Sequence, residues 1–153
     1  MSKSAAKPPM VAELVWDHDL VFTGTSAKAS IVLDSAGLAG PSPVQTLAFA
    51  LAGCMAMDVV HIIRKSRHDL RGCRVELVGE RAQTEPRRFT AIALRFSITG
   101  TVPREAVDRA IALSREKYCS VWHSMRQDIS LTVTASISPA ASASTSSLTS
   151  GGA

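Results

Sequence analysis

Residues 42–65 read SPVQTLAFALAGCMAMDVVHIIRK, and this stretch decides the fold. Ser42 is an N-cap residue, Pro43 suits the first helical position, and Gln45 stands three after the cap, where it closes a capping box. The helix so opened is expected to run to about Arg67, roughly 37 Å at 1.5 Å per residue. It is apolar nearly all round and so calls for burial on most sides. A single chain of 153 residues would struggle to cover it, which predicts a homodimer sharing the helix. The uninterrupted apolar run, Leu47–Met57, ends before Asp58 and His61. That is short for a bilayer span, so a core helix is expected and a membrane segment is not.

Outward from the helix, Val11–Trp16, Leu20–Thr25 and Lys28–Leu33 read as an antiparallel meander, with turn residues at Asp17-His18-Asp19 and Gly24. After it come two long strands, Cys73–Gln83 and Phe89–Thr99, joined by the polar turn Thr84-Glu85-Pro86-Arg87. In the second, Thr90, Ile92, Leu94, Phe96 and Ile98 alternate onto the core face. Pro103 opens a helix to Lys117 with an apolar stripe of Val107, Ala110, Ile111 and Leu113. Ser120 is placed to cap a short helix reaching Arg126. Ile129–Ile137 is a closing strand with Ile129, Leu131, Val133, Ala135 and Ile137 on one face. The class is α+β. Residues 1–9 form a polar leader and residues 139–153 an Ala/Ser/Gly-rich tail. Both are too poor in apolar side chains to offset chain entropy, so the folded domain is residues 10–138.

Composition narrows the function. The chain is 46% hydrophobic and 20% charged, with a net charge of +4, but its basic residues are scattered. The densest group, Arg64, Lys65, Arg67, His68 and Arg71, reads as an exposed helix end whose cations suit the dipole. No zinc-finger spacing or interleaved basic and aromatic stripe points to nucleic acid. The N-terminal MSKSAAKPPM lacks the apolar core of a signal peptide, so the expectation is a cytoplasmic protein whose thiols stay reduced unless chemistry oxidises them.

Two of the three cysteines are then of interest. Cys54 lies in the long helix and Cys119 at the junction of two later helical patterns, 65 residues away. A thiol-based peroxide site needs a thiolate, a group that stabilises it, and a second thiol to resolve the sulfenic acid. Apolar neighbours at Cys54 suit an alkyl hydroperoxide. Cys119 precedes a helix start, where amide dipoles favour an anion, and His123 follows at i+4. Against this stands the commonest fate of a free cysteine, a small buried hydrophobe. Cys73, opening a strand, fits that fate. Asp58 and His61, at i and i+3, read as a core polar pair.

The run GPSPVQTLAFALAGCMAMDVVHIIRK (40–65), with GERAQTEPRRFTAIALRFSITG (79–100) and REKYCSVWHSM (115–125), resembles the OsmC/Ohr family (osmotically inducible protein C and organic hydroperoxide resistance proteins), closest to its YhfA-like branch. The likeness covers residues 11–138. It implies an intertwined homodimer, with antiparallel sheets wrapped around long central helices and sites at the subunit interface. By that resemblance Cys54 is the peroxidatic cysteine and Cys119 the resolving one. No metal or bound cofactor is implied. The partners would be an organic hydroperoxide and an external dithiol reductant such as a lipoylated protein. The well-studied branch pairs a glutamate shortly before the first cysteine with an arginine in its N-terminal hairpin. This chain has Val44-Gln45 at the first place, and residues 11–40 contain no arginine. Arg87, Arg88 and Arg126 are the arginines elsewhere that could substitute.

Three functions follow, in this order: a thiol-dependent organic hydroperoxide peroxidase; a catalytically weak relative that binds an apolar small molecule at the dimer interface; and a small zinc protein using Cys119 and His123.

Overall fold

A computed structural model describes residues 6–141. Residues 1–5 of the predicted leader and 142–153 of the predicted tail lie outside the described residues. The chain divides into two compact units, Met1–Ala50 and Leu51–Ala153.

The first unit is a three-stranded antiparallel meander, β1 (Glu13–His18), β2 (Val21–Ser26) and β3 (Ala29–Asp34), in that order. The first turn sits later than Asp17-His18-Asp19: Asp17 and His18 belong to β1, and Asp19 takes the positive φ (44°) that the two-residue turn requires. Asp tolerates that conformation better than most residues. Gly24 is likewise no turn. It lies mid-strand between Leu14 and Ile31, where a Cβ would come within 3.1 Å of the Ile31 side chain. After β3, the buried Asp34 carboxylate accepts from the backbone N–H groups of Ala36 (2.8 Å), Leu38 and Ala39 (both 3.0 Å). These bonds, that to Ala39 foremost, hold its pKa below the ordinary value. They fix the loop that leads into the long helix.

That helix, α1, spans Pro43–Lys65. Its capping box is present: Ser42 N–H donates to Gln45 Oε1 (2.9 Å), and Gln45 N–H donates to Ser42 Oγ (3.3 Å). It stops two residues short of Arg67, whose φ of 61° cannot continue a right-handed helix. Arg67 N–H donates to the Arg64 carbonyl (3.0 Å) and His68 N–H to that of Ile63 (3.4 Å), the paired bonds of a Schellman end. The expectation of burial on most sides fails for the single chain. One stripe, Leu51, Met55, Val59 and Ile63, is buried, while Phe49 (70%) and Met57 (74%) are exposed. Over 18 residues its mean hydropathy reaches 1.9, so by length and composition α1 could cross a membrane. Its fully enclosed stripe and the hydrogen bond to Asp58 described below make it the core helix of a folded domain.

The second unit is built on β4 (Asp69–Arg81), β5 (Phe89–Thr101) and β6 (Ser130–Ser138), with β5 central. β4 pairs antiparallel with β5. β6 pairs parallel with β5, which departs from a purely antiparallel sheet. The chain returns from β5 through helices rather than a hairpin, and such a crossover delivers a parallel neighbour. Ile92, Leu94, Phe96 and Ile98 of β5 are buried, as their alternation requires. Gly100 (φ 137°) sits where β4 bulges between Leu70 and Gly72; a Cβ there would overlap the Asp69 carbonyl.

The crossover contains α2 (Arg104–Leu113) and α3 (Ser120–His123). The predicted helix to Lys117 ends early as an α-helix. Ser114–Tyr118 forms a wider π turn, closed by Cys119 N–H donating to the Ser114 carbonyl at 2.8 Å. α3 ends at His123 rather than Arg126, and Gln127 Nε2 satisfies the Trp122 and Met125 carbonyls beyond it (3.0 Å each).

Candidate functional site

The apolar period of α1 turns Cys54 away from the buried stripe but keeps it half-buried. Cys119 ends the π turn and is wholly buried. Although far apart in sequence, the two thiols are neighbours, close enough that Cys54 helps to push the Cys119 pKa up. Cys119, not Ser120, is the cap of α3: its sulfur accepts from the Trp122 N–H at 3.4 Å.

The expectation that a helix start would favour a Cys119 anion is overturned. Burial pushes this thiol up to about 12, and the Trp122 N–H offsets only part of that. A four-residue helix has little dipole to offer, and desolvation dominates. The neighbouring Cys54 and the negative charge of Asp58 push in the same direction. At neutral pH Cys119 is therefore a thiol.

Asp58 lies one helical turn after Cys54, so the two share a face of α1. Its partner is not His61, which is exposed. Ser114 Oγ donates to Asp58 Oδ2 at 2.8 Å, and Ser114 is fully buried. Asp58 also lines a cavity of about 480 Å³ with His61, Ile62, Lys65, Ser66 and Tyr118. In the sequence, an ionisable residue one turn beyond Cys54 in an apolar run was the signal for Asp58. Ser114 gave none, since a serine closing an apolar stripe is ordinary.

The other candidates stand apart from the pair. Cys73 is half-buried in β4 opposite Ile98, and burial raises its pKa. His123 is exposed. Arg87 pairs with Glu85 (3.2 Å), and Arg88 and Arg126 both pair with Asp128 (3.4 and 2.7 Å). That cluster holds Asp128 down to about 2, chiefly through the Arg126 hydrogen bonds. These three arginines are engaged with surface carboxylates, so within the chain they do not serve the thiols. Among the described residues, no three His, Cys, Asp or Glu side chains gather as a metal cluster would require.

A long capped helix bearing one of two neighbouring cysteines, with a three-stranded meander before it and a mixed sheet after it, defines an OsmC-type domain. The family model described as OsmC-like protein matches residues 34–134, and the chain belongs to that family. It is 41% identical over 126 residues to Protein YhfA of Escherichia coli (strain K12), covering 80% of this chain and 94% of that one. Among solved structures it superposes on a hypothetical protein from Aquifex aeolicus VF5 with a TM-score of 0.80 and 25% identity, covering 87% of this chain and 98% of that one. It shares its fold with an organic hydroperoxide resistance protein OsmC from Legionella pneumophila, at a TM-score of 0.64 and 17% identity, over 86% of this chain and 98% of the other.

Proposed function

We propose that the protein is a thiol-dependent peroxidase that reduces organic hydroperoxides through Cys54 and Cys119. The observation that carries this reading is that the two thiols are neighbours, the helix of Cys54 being tied to the turn that ends at Cys119 by the Ser114–Asp58 hydrogen bond. Cys54, half-buried, is the thiol a substrate can reach; Cys119, enclosed, is the one kept in reserve. Cys54 sulfur attacks the hydroperoxide, an S–O bond forms as the O–O bond breaks, and the alkoxide leaves with the thiol proton as an alcohol. Cys54 is then a sulfenic acid. Cys119 sulfur displaces its hydroxyl, the Cys119 proton leaves with it as water, and a Cys54–Cys119 disulfide results. An external dithiol, such as a lipoylated protein in a reducing cytoplasm, restores both thiols and is itself oxidised to a disulfide.

The homodimer belongs to the same proposal. The exposed Phe49 and Met57 on α1, and Leu14, Val15 and Trp16 on β1, are large apolar side chains that a second copy would cover. The family members named as organic hydroperoxide resistance proteins support the substrate class. A second reading, binding of an apolar small molecule without turnover, is favoured by the engagement of Arg87, Arg88 and Arg126 elsewhere.

Cumene hydroperoxide consumption with dithiothreitol separates the two. The peroxidase reading expects turnover that Cys54→Ser abolishes. Consumption no faster than the buffer control, or unchanged in that variant, would leave only the binding reading.

A further inference from the structure

We propose that the hydrogen bond from Ser114 Oγ to Asp58 Oδ2 is the clamp that holds Cys119 against Cys54, so that Asp58 and Ser114 are positioning residues for formation of the disulfide. This rests on the redox reading of the pair given above.

Both ends of the clamp are tied directly to a thiol. Asp58 follows Cys54 by one turn of α1 and is carried rigidly with it. Ser114 opens the π turn, and its carbonyl accepts the Cys119 N–H at 2.8 Å. The Ser114–Asp58 bond therefore joins the two thiol-bearing elements across 56 residues of sequence. A π turn is a local departure from helix that commonly coincides with functional positions, and its i→i+5 bond is poorly backed by its neighbours. What fixes it here is the anchor at its first residue. That anchor is a short hydrogen bond to a carboxylate from a fully buried hydroxyl, a strong class of bond and one whose loss strands a polar group. Asp58 adds a second effect: its charge helps to keep Cys119 protonated until it is needed.

The test uses the full chain carrying Cys73→Ser, so that only the Cys54–Cys119 disulfide forms within it. The fraction oxidised is measured across ratios of reduced to oxidised dithiothreitol, which yields the effective molarity of the two thiols without any peroxide. Ser114→Ala and Asp58→Ala should each lower it about tenfold or more, and the double variant should be no worse than either single one. Asp58→Asn, whose amide oxygen still accepts from Ser114, should stay within about threefold of the parent. Thermal melts of the same proteins report fold; a merely structural role would lower the melting temperature and leave the disulfide equilibrium unmoved. If Asp58→Ala does not fold, Ser114→Ala and Asp58→Asn carry the test.

A parent-like equilibrium in Ser114→Ala overturns the clamp. So does an Asp58→Asn defect as large as that of Asp58→Ala, since charge rather than the hydrogen bond would then be at work. A parent protein that forms the disulfide in this buffer yet leaves cumene hydroperoxide unreduced sinks the peroxidase reading alone. A parent that forms no disulfide at any ratio overturns both.

Discussion

The two three-stranded sheets carry similar proportions of apolar sequence and treat it in opposite ways. In β4–β5–β6 the core face of β5 is sealed: Leu94, Phe96 and Ile98 are at most 1% exposed. In β1–β2–β3, Leu14 (51%), Trp16 (63%) and Val15 (59%) stand open, as do Ile31 and Val32 of β3. Alternation in a strand therefore announces that a face will be covered, without saying by what. The second sheet belongs to a unit that closes its own core, with the α1 stripe, Val107 and Trp122 all buried there. The first leaves apolar side chains open on both faces, since Leu14 and Trp16 point one way and Val15 the other. Cys54 and Cys119 both lie in the second unit, so the burial that raises the Cys119 pKa belongs to that sealed core.

The largest contrast should come from the sealed face. Phe96→Ala removes a ring from a filled core and should lower stability by about 3–5 kcal/mol in urea unfolding. A loss under 1 kcal/mol would mean that face is not the core. Trp16→Asp, on the open sheet, should instead act on assembly. Buried aromatic anchors at interfaces are commonly worth about 2 kcal/mol or more, so sedimentation should show the dimer giving way to monomer. An unshifted sedimentation coefficient would detach that sheet from the interface.

Alkali should also act on the sealed unit. Unfolded Cys119 ionises near its ordinary value of 9.0, while in the fold it keeps its proton up to about 12. Between these values the folded state binds more protons, so stability is full below pH 9 and falls as pH rises towards 12, by about 1.4 kcal/mol for each fully unmatched unit. Cys119→Ser should flatten most of that decline, leaving a remainder from Cys73, whose pKa is shifted in the same direction. An identical alkaline profile in the variant would place Cys119 outside the core. The smallest effect expected is that of the α1 cap: Ser42→Ala should cost about 1 kcal/mol, and a larger loss would show that the loop fixed by Asp34 depends on it.

Much of this was legible in advance because it is local. Ser42 and Gln45 specify their own capping box, and the alternation of β5 names its buried residues. The first turn starts two residues later than its polar run suggests, at Asp19, because Asp17 and His18 face solvent equally well from a strand. The parallel pairing of β6, the π turn at Ser114 and the bond from Ser114 to Asp58 were not legible. The first and last depend on partners tens of residues away, and no local period records any of the three. The same holds at the site: Cys54 and Cys119 stood out from their places in the helical patterns and took their separate roles from the resemblance, whereas the protonated state of Cys119 follows from burial that only the fold reveals.

One experiment bears most directly on the central claim that folding makes a redox couple of these two thiols. The protein is treated with one equivalent of cumene hydroperoxide, quenched with an alkylating agent, digested and analysed by mass spectrometry. The account predicts a Cys54–Cys119 disulfide within one chain, with Cys73 alkylated as a free thiol. Recovery of both Cys54 and Cys119 as alkylated thiols, with the hydroperoxide intact, would contradict it.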